Sequence, residues 1–141
     1  MLQGRRRDSG QELVEFALVF PVLMLLVLGI IEVGRIMYSY NAIANAAREG
    51  ARWAVVPGPL HQDQIQSVTE PCPGTNEIIR QVCSHALALS QSDLQVTVSQ
   101  PESDTVQIQV VYTGPFLTNL IQQALGQGDL ELRAAATMQL E

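Results

Sequence analysis

The sequence predicts an α+β protein in which a long N-terminal, membrane-crossing helix carries a small head built on a three-stranded, mainly antiparallel sheet. Three observations carry that expectation. Phe16 to Ile31, FALVFPVLMLLVLGII, is an apolar run without a charge. Apolar residues at Ile78, Ile79, Val82, Ala86 and Leu89 recur at the spacing of one helix face. Three later segments alternate apolar and polar residues, the period of a half-buried strand: Leu94, Val96 and Val98; Val106, Ile108 and Val110; and Leu130 through Leu140.

The apolar run needs its flanks to cross a bilayer. Its sixteen residues fall short of the ~20 that span the hydrocarbon core. Leu13 to Val33 covers about 31 Å at 1.5 Å per residue and places Glu15 and Glu32 near the two interfaces, where charge is tolerated. Pro21 lies inside the span, where it removes one backbone hydrogen bond and predicts a kink. Arg5, Arg6 and Arg7 precede the run and favour a cytoplasmic N-terminus with the body outside. A buried core helix and a secretory signal peptide are the competing readings. The first needs a larger domain around a helix with no polar face. The second has its small residues, Ala42-Ile43-Ala44, too far beyond the run, and Glu12 and Glu15 stand between the basic cluster and the apolar core.

The helix is expected to continue past the membrane. Ile36, Tyr40, Ile43, Ala47, Ala51 and Ala54 form a stripe at three- and four-residue steps, rich enough in alanine for close packing. Pro57-Gly58-Pro59 ends it, which makes one helix from Leu13 to Val56 about 66 Å long. Arg48, Glu49 and Arg52 read as its solvated face. Leu60 to Thr75 reads as a polar connector. Asn76 caps the second helix, expected to reach about Leu89. Pro101 to Asp104 turns between two strands, and Pro115 opens a short helix to Leu125, stopped by Gly126. The organisation is therefore a basic leader over 1–10, a long helix over 11–56 with its anchor at about 13–33, and a head over 57–141.

Composition narrows the function. The 141 residues are 47% hydrophobic but only 16% charged, with a net charge of −6. All eight basic residues are arginines, three of them in the leader, so the body lacks the basic surface a nucleic acid needs. The absence of lysine excludes a Walker-type phosphate loop and a lysine Schiff base. No nucleophile elbow, HExxH motif or nucleotide loop occurs, so no catalytic or cofactor-binding residue is assigned. Glu102 and Asp104 are ordinary turn charges, and Trp53 reads as packing. Cys72 and Cys83 lie on the expected extracytoplasmic side, where a bridge would close a twelve-residue loop and contribute about 3 kcal/mol. The competing reading is a metal site that adds His61 and His85, at a spacing that fits no standard zinc pattern.

The leader junction, RRRDSG-QELVEFALVFPVL, resembles the processing site of type IV pilin-like proteins, in which a membrane peptidase cuts after the glycine. Downstream, VEFALVFP, the G-x-x-E-x-G-R segment from Gly29 to Arg35, AAREGAR from Ala46 to Arg52 and the terminal AAATMQLE resemble TadE-like proteins of the tight-adherence (Tad/Flp) pilus system. The resemblance implies a pilin-like layout and cleavage by a prepilin peptidase between Gly10 and Gln11. It also implies assembly with pilin or pseudopilin subunits and Tad machinery at the bacterial inner membrane or on the pilus. Glu15 and Phe16 then open the mature anchor, and Glu15 is expected to set the register between subunits; the plainer reading is a carboxylate snorkelling at a helix start. Mature pilins commonly begin with Phe, whereas this chain would begin with Gln11. The alternative is an uncut, membrane-anchored extracytoplasmic binding domain unrelated to pili.

Overall fold

The computed structural model describes residues 8–56, 65, 67–87, 89–114 and 129–140. In chain order these form helix α1 (Asp8–Ala54), strand β1 (Val68–Pro71), helix α2 (Glu77–His85), a 3₁₀ turn (Gln91–Asp93), and strands β2 (Leu94–Ser99), β3 (Thr105–Gly114) and β4 (Leu130–Gln139). The chain divides into two units, residues 1–35 and 36–141.

The first unit is described as one helix. It begins at Asp8, inside the expected leader, and runs through Pro21 without interruption. The second unit holds the rest of α1, α2 and a sheet ordered β1-β2-β3-β4, every neighbouring pair antiparallel. The sheet therefore has four strands rather than three. The added strand, β1, falls in the segment read as a polar connector. It is four residues long, its inward positions are Val68 and Glu70, and it ends at Pro71, so it carries no apolar alternation to read.

The other strands follow their pattern. Rungs of inward residues cross the sheet as Leu94–Tyr112–Leu132, Val96–Val110–Ala134 and Val98–Ile108–Ala136. Over this face α1 lays Ile43, Ala46, Ala47, Ala51 and Ala54, and α2 lays Ile78, Ile79, Val82 and Cys83, all in one buried cluster. Each fully buried Ile or Val there contributes about 1.5–3 kcal/mol relative to exposure. The alanines matter by being small. Gly50 takes this furthest, because a β-carbon on it would overlap Val82 Cγ2 and come within 3.2 Å of Ile108 Cδ1.

Helix α2 starts where its cap predicts and stops early. The Asn76 side chain accepts hydrogen bonds from the Ile78 and Ile79 amides at 2.9 and 3.4 Å, satisfying two donors of the first turn. At the other end the Ala86 amide donates to the Cys83 carbonyl and the Leu89 amide to the Ala86 carbonyl, so the chain leaves the helix after His85 rather than Leu89. The expected helix over 115–125 and the Pro57-Gly58-Pro59 stop lie outside the described residues.

Candidate functional site

The residues singled out in the sequence fall into two separate groups. Gly10, Gln11, Glu15 and Phe16 all lie on the first turns of α1. Gln11 and Glu15 are four residues apart and so share one helix face. All four are exposed.

Gly10 is free of any packing demand, since a β-carbon added there meets no described atom within 4 Å. The helical backbone around it accepts larger residues, and helix propensity disfavours glycine by about 1 kcal/mol relative to alanine. Packing among the described residues thus gives no reason for glycine at this position. Gly10 is helical here, within the first turn of α1.

From Leu13 to Val33 the helix shows large apolar side chains on all sides. Phe16 is 62% exposed, Leu18 71% and Val22 66%. The Phe16 and Phe20 rings stack at a tilt with centroids 5.5 Å apart, as an i,i+4 pair on one face. A helix exposed in this way needs an apolar environment from outside the chain. It is long and apolar enough to cross a membrane. Its far end carries an ion pair, with Arg35 Nη2 3.0 Å from Glu32 Oε1 and Glu32 buried. Pairing lowers the cost of charge at a membrane boundary. The sequence motif Gly29–Arg35 showed the two residues but not their burial.

The second motif, AAREGAR, divides by face. Ala46, Ala47, Gly50 and Ala51 are buried against the sheet side, while Arg48, Glu49 and Arg52 are exposed. Arg48 Nη1 reaches back to Asn45 Oδ1 at 3.0 Å. The small residues of the motif make the helix–sheet contact, and its charges face solvent.

Cys72 and Cys83 form a disulfide, with Cα atoms 5.8 Å apart. It ties the segment after β1 to α2, and the Cys72 amide also donates to the Leu94 carbonyl at 3.1 Å. Both thiols are consumed, which removes them as metal ligands. His85 is exposed on α2 with Nε2 3.3 Å from Gln81 Nε2, and His61 lies outside the described residues. No group of three or more metal-ligating side chains occurs among the described residues.

Beside the disulfide sits a polar clasp that the sequence did not reveal. Glu70 accepts hydrogen bonds from the Thr75 amide (2.6 Å), the Thr75 hydroxyl (2.7 Å) and the Asn76 amide (3.3 Å). The Thr75 hydroxyl and then the two amides favour the charged carboxylate and hold Glu70 below its usual titration range. Gly74 leaves room for this arrangement, since a β-carbon there would come within 2.5 Å of Glu70 Oε2 and 2.6 Å of Ile79 Cγ2. Glu102 and Asp104 are exposed in the turn between β2 and β3.

No curated protein and no solved structure gives a match to this chain. A family model does, and it covers the exposed apolar helix together with the small-residue contact beyond it. Residues 10–52, all on α1, match the model described as TadE-like protein, so this stretch of the chain is similar to that family.

Proposed function

We propose that this chain is a minor pilin or pseudopilin of Tad/Flp pilus assembly, matured by a prepilin peptidase that cuts between Gly10 and Gln11. The observation that carries this reading is the coincidence of three features on α1. The TadE-like match begins at residue 10, the glycine there answers no packing need, and the helix that follows is exposed on all sides. The leader arginines favour a cytoplasmic N-terminus, with the head on the other side of the bacterial inner membrane. The chain acts as a substrate and a building block rather than as a catalyst.

Cleavage would place a positive α-amine four residues before Glu15. In a bundle of such helices, Glu15 of one copy pairs with the amine of the next and fixes their axial offset. In low dielectric the attraction is strong, and an unpaired charge is costly, so the pair selects one register. The peptidase step is tested by Gly10→Leu with co-expressed prepilin peptidase. Cleavage should fail while membrane insertion persists. Normal processing of the variant would remove Gly10 from the site and favour the uncut, membrane-anchored binding domain.

A further inference from the structure

We propose that, in subunits that have lost the leader but are not yet assembled, Gln11 closes to a pyroglutamyl lactam and erases the α-amine charge at the start of α1. The inference rests on the cleavage reading given above. Its specific basis is the residue that cleavage would expose. Gln11 is exposed at the head of the helix, and its side-chain amide has no hydrogen-bond partner among the described residues. Nothing in the described chain holds that amide away from a new terminus.

Cleavage turns the Gln11 backbone nitrogen into a primary amine. In its neutral form the amine attacks the side-chain carbonyl carbon Cδ. The N–Cδ bond forms and closes a five-membered ring. The Cδ–Nε2 bond breaks, and Nε2 leaves as ammonia with the proton given up by the amine. Atoms balance with no oxidant, reductant or second substrate. Of the two residues discussed for a mature start, Phe lacks this chemistry and Gln has it.

Local electrostatics act in both directions. A protonated amine at the first position of a helix faces the positive end of the helix dipole, and the apolar run beginning at Leu13 makes charge there costly. Both effects favour the neutral amine, which is the nucleophile, and then the neutral lactam. The carboxylates of Glu12 and Glu15 oppose them by holding the amine protonated. An α-amine titrates close enough to neutrality for a reactive fraction to persist. A subunit whose amine is paired with a neighbour's Glu15 is therefore protected, and one left unassembled is not. Closure would leave the processed but unassembled pool with no amine to pair or to methylate.

The test is mass spectrometry of the N-terminal peptide from the full chain, co-expressed with prepilin peptidase and taken from membranes during a pulse and chase. A synthetic peptide beginning QELVEFA, carried through the same handling, measures closure during work-up. The expected product begins at Gln11, is lighter by one ammonia, and becomes the main form as the chase proceeds. Gln11→Asn should be cut but retain its amine, because its closure would require a four-membered ring. A peptide beginning at Gln11 that keeps its full mass throughout, or gains a methyl group, overturns the lactam and leaves the cleavage reading standing. Only peptides spanning Gly10 and Gln11 would overturn the cleavage reading and the lactam with it.

Discussion

Gly50 of α1 faces Val82 of α2 so closely that no β-carbon fits between them without a shift. Two effects oppose each other at this position. Replacing a helical glycine by alanine stabilises a helix by about 1 kcal/mol. Forcing a methyl group against a stiff, β-branched Val82 and against Ile108 costs about 1–3 kcal/mol. Gly50→Ala should therefore lower the thermal midpoint of the detergent-solubilised chain. Adding Val82→Ala should recover part of that loss, and a double-mutant cycle reads the coupling. Additive effects would show that the two residues do not press on one another.

The disulfide and Asn76 secure the same element from two sides. Cys72→Ser with Cys83→Ser should cost about 3 kcal/mol, the loop-entropy value for a bridge of this span. Asn76→Ala should cost about 1 kcal/mol by removing the cap on the Ile78 and Ile79 amides. Denaturant unfolding of the three chains, oxidised and reduced, checks both values. Reduction should leave the double serine variant unchanged.

The Glu70 clasp gives stability a definite pH dependence. Hydrogen bonds from Thr75 and Asn76 lower its titration in the folded chain relative to the unfolded one. The unfolded chain therefore takes up the proton first as pH falls. The contribution of Glu70 is fully present above the ordinary glutamate range. It declines as pH falls through that range and is gone below the lowered folded value. Thermal midpoints of wild type and Glu70→Gln should converge on acidification and separate toward neutrality. A constant difference across that range would remove Glu70 as the titrating group.

These predictions draw on features that differ in how far the sequence displays them. Strands β2, β3 and β4 were legible because burial on one face forces alternation, as in Leu94, Val96 and Val98. Strand β1 was not, because an edge strand with Glu70 inward and Pro71 at its end leaves no such trace. The clasp was hidden for a related reason: Glu70, Thr75 and Asn76 meet only once the chain has folded back between β1 and α2. Asn76 itself was readable as a cap, since capping is local. Burial of Ser39 and Thr105 depends on tertiary packing, and nothing in residue type announces it. On α1 the sequence pattern located the candidate residues, while the structure added the open space around Gly10.

Glu15 is the residue on which assembly is expected to turn. Glu15→Val removes an exposed charge from the edge of an apolar segment, so membrane insertion should persist or improve. Pilus assembly should fail because a neighbour's amine loses its partner. Piliation and subunit cross-linking, scored at matched membrane levels and with cleavage verified, check this outcome. Normal piliation would leave Glu15 as a snorkelling residue at a helix start.

The central claim is that the first ten residues are a leader removed at Gly10. The most direct measurement is the mass of the N-terminal peptide of the native chain, purified from membranes of cells that carry the Tad machinery. Mass is preferable to stepwise degradation because a lactam would block the latter. The account predicts that the peptide begins at Gln11, whether its terminus is open or closed. A chain that still carries the Arg5-Arg6-Arg7 leader, recovered from cells with an active prepilin peptidase, would contradict it.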